Sequence, residues 1–381
     1  MKRIGIMLLI IMVTAGVCFA GGQEEEQPIK IGAIFAVTGG ASFLGAPEAK
    51  TIEMLVEEVN SNGGVLGREV EVIVKDSAAN PEKAISFAKQ LIEEDQVLAI
   101  LGPSTSGETL QIKELCEKAE TLLISCAAAE QIVDPVASWV FKVPQKDSYA
   151  AQKIYATMND LGITKVGVVA ANTGFGNGGR AQLEKYAPEF GIDILLSESY
   201  DRAATDLTAV LTKLKGAGVE AVVNWSIVPA QSIIAKNMKQ LGMDIPLFQS
   251  HGFANIKYVE AAGSAAEGII FPAGRLVIAE DLPEDHPQKD VLMEYKENYE
   301  ARYDEDVSAF GGHAYDAFLV LIEAIKKAGT TEKEAVRTAL ETLTNVPGTA
   351  GVFNFTPQDH NGLGIDSFAM ITVENGEFVP Y

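Results

Sequence analysis

Five short stretches of this 381-residue chain combine residue types that can hold a small molecule. Gly102-Pro103-Ser104-Thr105-Ser106-Gly107-Glu108 follows an apolar run and opens an amphipathic one. Thr105 and Glu108 have capping-box spacing, which by itself makes only a sound helix start. The same hydroxyls and free N–H groups, with Thr105 and Ser106 foremost, also suit a carboxylate or other anion. Ser125-Cys126-Ala127-Ala128-Ala129 ends the next apolar run. Its small side chains either make a tight turn or admit a ligand to the backbone. Trp225 closes another run, placed to stack on a ligand or to pack in a core, and His251 precedes Gly252 at a fourth strand end. A histidine there either donates to a ligand or is merely solvated.

The fifth stretch, Gly174–Gly179, contains G-x-G-x-x-G after an apolar run, with Glu198 further on. That is the outline of a dinucleotide fingerprint. Asn172 and Thr173 intervene after the strand, the motif lies mid-chain, and the chain opens with an export signal, so the loop reads instead as a turn presenting Phe175 to a cleft. His286, His313 and His360 lack metal spacing. There is no G-x-S-x-G elbow, and the carboxylates are scattered without a defensible acid–base pair. No catalytic residue, metal or cofactor is expected, and the reading as an enzyme has no residue behind it.

The elements that must position these stretches alternate short apolar runs with amphipathic helices, the pattern of parallel sheets covered on both faces. A first series runs through strands at Ile29–Phe35, Val70–Val74, Val97–Leu101 and Leu122–Cys126. Helices at Pro47–Asn60, from Asn80-Pro81, and after Gly102-Pro103 separate them. Asn80-Pro81 is an N-cap followed by proline at the first helical position. A second series holds strands at Val166–Ala171, Ile192–Ser197, Ala221–Trp225, Pro246–Phe248 and Gly268–Phe271, with helices near Gly179–Phe190 and Ala230–Leu241. The C-terminal third reads as helices at Asp290–Arg302, Gly311–Ala328 and Thr331–Thr342, then strands at Gly351–Phe355 and Phe368–Val373. No Pro-, Gly- or Ser-rich linker sets it apart, so it is expected to pack back on the first two units. The expected class is α/β, with two doubly wound, Rossmann-like lobes.

Composition narrows the function. The formal charge is −22, which repels phosphate backbones and argues against nucleic acid. Met1–Ala20 reads as a secretory signal, with Lys2 and Arg3 ahead of the apolar Ile4–Val13. Beyond it no apolar run reaches the roughly 18 residues needed to span a bilayer. Two products are open: cleavage after Ala20, giving a soluble periplasmic chain, or lipidation at Cys18, against which the bulky Val17 argues. Cys116 and Cys126 remain, as a disulfide or as two buried thiols. An exported, acidic chain of repeated strand–helix units more often captures a small molecule than makes one.

Further residues carry a family resemblance: Ile29-Lys30-Ile31-Gly32, Thr38-Gly39, Asn60–Gly67, Asp76, Gly102-Pro103 with Ser106, and Tyr315-Asp316-Ala317. From about Pro28 to Tyr381 the chain resembles the Leu/Ile/Val-binding family of periplasmic solute-binding proteins of ABC transporters. The resemblance implies the type I periplasmic binding fold, two lobes joined by a hinge crossed three times. The expected segments are 1–20 (signal), 28–144 (first lobe), 145–272 (second lobe), 273–351 (first lobe again) and 352–381 (return to the hinge and second lobe). It implies a monomer that delivers a solute to an inner-membrane permease.

By the same resemblance Ser106 binds the ligand's α-carboxylate, and Ala127, Ala128 and Ala129 form the segment contacting carboxylate and ammonium. Ala129 stands where many relatives have Thr, Phe175 where a Tyr covers the ligand, and Leu44 where another aromatic sits. His251 falls where amino-acid binders carry the Glu that pairs with the ammonium. A buried ammonium without an anionic partner is costly. The expectation is therefore a carboxylate lacking the amine, and Phe175, Trp225 and Phe253 extend the candidates to aromatic ones. The other reading is an ordinary aliphatic amino acid held by carbonyls and an acid elsewhere in the chain. A ligand-sensing subunit of a membrane receptor is the alternative role, and an exported enzyme the third.

Overall fold

The computed structural model describes residues 27–381. The expected signal Met1–Ala20, with Cys18, lies outside the described residues. The first sheet comprises β1 (Ile29–Phe35), β2 (Val70–Asp76), β3 (Ala99–Leu101), β4 (Leu122–Ser125) and β5 (Val140–Lys142), all parallel, in the order β2-β1-β3-β4-β5. Six of the seven residues of β1 are buried, as expected of a parallel strand covered on both faces. The connecting helices are α1 (Ser42–Ser61), α2 (Pro81–Glu93) and α3 (Ser106–Lys118). The Asn80 side chain caps α2, accepting from Glu82 N at 2.9 Å and Lys83 N at 3.2 Å.

The second lobe begins with α4 (Asp147–Asp160), β6 (Lys165–Ala171), α5 (Gly174–Tyr186) and β7 (Asp193–Tyr200). It continues through α6 (Thr208–Ala217), β8 (Ala221–Trp225), α7 (Ala230–Gln240), β9 (Leu247–Gln249), α8 (Ile256–Ala262) and β10 (Ile270–Ala273). Helices α9 (Lys289–Tyr303), α10 (Ala309–Ala328) and α11 (Lys333–Leu340) then pack largely on the first lobe. A short hairpin of β11 (Val346–Pro347) and β12 (Val352–Phe353) follows, then β13 (Ala369–Glu374) and β14 (Glu377–Pro380). The second sheet has the order β14-β13-β10-β9-β8-β6-β7, with β13 and β14 antiparallel to their neighbours. This is the type I periplasmic binding fold, with the chain passing between lobes three times. Among the described residues no helix is long and apolar enough to cross a membrane.

The three crossings are tied side by side. Gln145 Nε2 donates to Ala350 O at 2.8 Å, Asn361 Nδ2 to Pro144 O at 2.8 Å, and Arg275 to Asp366 O at 2.9 Å. Asp316, from the Tyr315-Asp316-Ala317 element, accepts from Thr349 N at 2.5 Å and Ala350 N at 2.8 Å, fixing α10 to the same bundle. Phe353, Phe355 and Leu363 still pack in the first core, and Phe368 is the next residue to enter the second. The last crossing therefore falls between Leu363 and Phe368, beyond the expected boundary at Gly351. The expected strand Gly351–Phe355 is only the short β12, while α4, α6, α8, β5, β11 and β14 are additional to the sequence expectation. Helix α5 begins at Gly174, well before the Gly179 expected, so the glycine run is helical.

Candidate functional site

The first wall of the cleft is the turn after β3 and the start of α3. Gly102 has φ +87°, and a Cβ there would fall 2.4 Å from Ile34 O, so only glycine fits. Ser104 Oγ accepts from Ala36 N at 2.9 Å and gives its own proton to Glu48. The Glu48 carboxyl is fully buried and held well above the usual carboxylate range, first by that burial; the Ser104 bond opposes the shift and nearby Glu108 adds to it. Thr105 forms the capping box its spacing predicts: its hydroxyl donates to Glu108 Oε2 at 2.6 Å and accepts from Glu108 N at 3.4 Å. Ser106 Oγ accepts from Ala129 N at 3.1 Å, and among the described residues its own proton has no acceptor. That proton and the first N–H groups of α3 are free for an anion.

The turn after β4 forms the floor. Ser125 Oγ holds it, accepting from Ala127 N at 3.1 Å and lying 2.9 Å from Thr109 Oγ1. Lys142, buried at the end of β5, donates to Ala128 O and, at 3.1 Å, to Gln145 O. Burial pushes its ammonium pKa down, and the charge of Asp147 pulls it partly back. Lys142 thus joins the floor of the cleft to the first crossing.

The opposite wall belongs to the second lobe. The Thr173 hydroxyl caps α5, accepting from Gly176 N at 3.0 Å. A Cβ placed on Gly174 would lie 2.7 Å from Gly107 N, so the N-termini of α3 and α5 meet backbone to backbone. The other glycines of the run answer to packing: a Cβ on Gly176 would strike Ala171 O, and one on Gly179 would lie 2.0 Å from the Trp225 ring. A dinucleotide loop is not needed to explain them. His251 sits in the turn after β9, where the Ser250 hydroxyl accepts from Gly252 N at 3.3 Å. Its ring is enclosed by Phe175, Trp225 and Phe368, with centroids 5.1, 5.6 and 5.4 Å away. His251 Nε2 lies 3.5 Å from Asp147 Oδ1, at the start of α4. Neither Asp147 oxygen and neither His251 nitrogen has a hydrogen-bond partner among the described residues.

Between the walls is a narrow cavity of about 20 Å³, room for about one water. Leu44, Ser104, Ser106, Cys126, Ala127 and Ala128 line it from one side, Phe175, Ile227, His251 and Gly252 from the other, and Phe310 and His313 reach it from the start of α10. No carboxylate lines it. Burial and then the charge of Lys142 hold both His251 and His313 below the ordinary histidine range, His313 at about 3, so both imidazoles are neutral. Larger hollows lie elsewhere, one of about 440 Å³ around Met243–Leu247. It sits where β9 begins, whereas ligands of open α/β sheets bind beyond the carboxyl ends of strands.

The structure therefore brings together Ser106, Ala127, Ala128, Phe175, His251 and Leu44. Thr105 is spent on its cap, and Ala129 stands behind Ser106. Trp225 is fully buried behind His251 and Phe175, packed against Gly179, and does not reach the cavity. Phe253 is core, stacked 5.9 Å from Tyr258. His313, Phe310, Ile227 and Asp147 escaped the sequence reading. The one signal for His313 is its position after Gly311-Gly312, in a chain with four histidines. Among the described residues no group of three or more His, Cys, Asp and Glu could hold a metal, and Cys116 and Cys126 are free and buried.

Two lobes closing on a cavity at the strand ends define a binding protein of the type I class. Residues 28–377 match the family described as periplasmic binding protein, and the chain belongs to that family. It is 26% identical over 342 residues to the leucine-, isoleucine-, valine-, threonine- and alanine-binding protein of Pseudomonas aeruginosa, covering 88% of each chain. It is 26% identical over 336 residues to a Leu/Ile/Val-binding protein homolog of Brucella melitensis, covering 87% of this chain and 86% of the other. Among solved structures, an extracellular ligand-binding receptor from Rhodopseudomonas palustris superposes with a TM-score of 0.88 at 27% identity, over 93% of this chain and 100% of that one. The branched-chain amino acid binding protein LivJ of Streptococcus pneumoniae, in complex with isoleucine, gives 0.81 at 25% identity, over 93% and 100%. The chain thus shares its family and fold with proteins named for binding branched-chain amino acids.

Proposed function

We propose that this chain is the extracytoplasmic solute-binding component of an ABC importer, and that it closes its lobes on a small carboxylate with an apolar body and no amine. The observation that carries the reading is the meeting of two helix N-termini, one from each lobe, at Gly107 and Gly174 beside the unspent Ser106 hydroxyl. Helix N-termini carry partial positive charge and point free N–H groups outward, so an anion beside both of them is held by both lobes at once. Leu44, Phe175, Ile227 and Phe310 offer the rest of the ligand an apolar surface. With no carboxylate at the cavity wall and neutral imidazoles in its place, an ammonium has no partner there.

A second reading keeps the amino acid, as the names of the relatives suggest, with Asp147 as the acid placed elsewhere in the chain. Its proximity to His251 favours this. Against it, Asp147 lies behind the imidazole, and Lys142 already acts on its charge.

The test is a thermal-shift panel on the mature chain, setting leucine, isoleucine and valine beside aliphatic and aromatic carboxylates without the amine. A ligand at about 100 times its Kd adds roughly 2.7 kcal/mol of stability, which is easily seen. A shift only with amine-free acids supports the reading, and a shift with leucine overturns it. Co-purification with a permease, and not with a sensor kinase, tests the partner.

A further inference from the structure

We infer that His251 and His313 form the second polar end of the site and together take a hydroxyl on the ligand, so that the solute is a hydroxy-carboxylate. The inference rests on the carboxylate reading above and concerns the end of the ligand away from Ser106.

Most of the hydrogen-bonding capacity at the cavity wall is already committed. Ser106 is committed to the anion. The Ser104 proton is spent on Glu48 and one of its lone pairs on Ala36 N. Cys126 is a weak donor. What remains is two imidazoles, His251 from the second lobe and His313 from α10, both lining the cavity and both with an Nδ1 that is buried and unpartnered. Buried polar atoms are normally satisfied, and exceptions in a cleft ask for a ligand atom.

A neutral imidazole has one donor and one acceptor nitrogen. Asp147 Oδ1 lies 3.5 Å from His251 Nε2 without a formed hydrogen bond and is the polar group on that side of the ring, which leaves Nδ1 as the group that faces a partner. If the carboxylate accepts from Nε2, Nδ1 accepts in turn; if the buried acid is protonated and donates, Nδ1 donates. A hydroxyl can donate to one imidazole and accept from the other through a single atom, so it satisfies either arrangement in the smallest space. An ammonium cannot accept, so it leaves unpartnered any imidazole N–H that faces it. Phe175, Trp225 and Phe368 prevent the His251 ring from turning away. Asp147 touches no cavity space and is a positioning residue.

The experiment is calorimetric titration of the full mature chain with two matched series, each varying one substituent on a fixed acid. One series is 4-methylpentanoate with hydrogen, hydroxyl or ammonium at C2. The other is 3-phenylpropanoate with hydrogen, with hydroxyl at C2 or on the ring, or with ammonium at C2. At least one hydroxylated acid should bind about 10-fold or more tighter than its parent, the scale of a buried hydrogen bond made or left unmade. His251→Phe and His313→Phe should each erase that preference, the hydroxylated acid losing about 10-fold more affinity than its parent. Asp147→Asn should shrink the preference by weakening the hydroxylated acid more than its parent. His251→Gln and His313→Gln, which keep a donor and an acceptor, should retain part of it and guard against misfolding. Parents binding as tightly as their hydroxylated forms, or a preference that survives both Phe variants, would overturn the inference while leaving the carboxylate reading intact. Silence from every acid in both series would sink the carboxylate reading itself, and the inference with it.

Discussion

The meeting of α3 and α5 makes a sharp prediction about Gly174. A Cβ built on it falls 2.7 Å from Gly107 N, 2.8 Å from Gly107 Cα and 3.3 Å from the Ser106 carbonyl carbon. Ordinary contact begins at 3.4 Å, so Gly174→Ala asks for 3.4 − 2.7 = 0.7 Å of separation at this point. All three atoms are backbone at the start of a helix and cannot swing aside as a side-chain tip would. Overpacking of this kind costs about 1–3 kcal/mol, which raises Kd about 5- to 150-fold. The cost exists only when the lobes are shut. With the cleft open, alanine is the better helix former by up to about 1 kcal/mol, so the ligand-free Tm should hold or rise.

Gly107→Ala is the matched control. Its Cβ would have a single neighbour, Gly174 N at 3.9 Å, and fits as it stands. Calorimetry with the tightest binder of the carboxylate panel should show a loss for Gly174→Ala and a change within about 2-fold for Gly107→Ala. Small-angle scattering should show that the first variant fails to contract fully on adding ligand. If Gly174→Ala bound and contracted like the wild type, the two helix ends would not meet in the bound protein, and the two-lobe anion site would be refuted. Equal losses in both variants would refute the steric argument.

Four further outcomes are expected. Ser106→Ala removes the hydroxyl donor to a carboxylate and should weaken binding about 10- to 100-fold by calorimetry, the scale of a hydrogen bond to a charged group. Closure selects neutral His313, whose pKa is held at about 3 when shut; that contribution is complete above its free value of 6.5 and is lost as pH falls below it. Closure moves His251 the same way, whereas burial pushes the adjacent Asp147 carboxyl upward, in the opposing sense. Kd should therefore rise about 10-fold between pH 7.5 and 5.5, and His313→Gln should flatten the profile. Cys116 and Cys126 are buried, the former held at about 12, so neither should react with a maleimide until the chain unfolds. Asp316→Ala leaves Thr349 N and Ala350 N without their acceptor inside the hinge and should cost at least about 2 kcal/mol in denaturant unfolding.

Much of this was legible from local sequence. The alternation of buried strands and amphipathic helices needs only periodicity, and Asn80-Pro81 and Thr105–Glu108 are helix starts whose chemistry lies within four residues. Ser106, Phe175 and His251 stood out because each follows a strand, and the ends of parallel strands are where these folds bind. The glycine run misled because helix propensity argues against glycine; here tertiary demands override it, since Gly107 needs the space at Gly174 and the Trp225 ring needs the space at Gly179. Asp147 was out of reach for a different reason. It lies 104 positions before His251, at the start of a helix of mixed composition, and only the fold puts them 3.5 Å apart. His313 likewise joins the cleft through the packing of α10, which no short-range pattern announces.

The geometry also explains why closure and capture are one event. Two helix ends of about half a charge each, some 4 Å apart, repel by about 1 kcal/mol at an effective dielectric near 20. A full negative charge about 4 Å from both is attracted by about 4 kcal/mol in all, before its own desolvation is subtracted. The repulsion persists with the anion in place, so the swing is about 4 kcal/mol, most of the roughly 5.5 kcal/mol that carries a two-state equilibrium from 1:99 to 99:1. A shut, empty cleft is thus opposed by the same dipoles that hold it shut when an anion is present. An uncharged isostere of the ligand gains the apolar contacts of Leu44, Phe175 and Phe310 but none of this swing. It should bind without contracting the protein, which separates the electrostatic account from one in which burial alone drives closure.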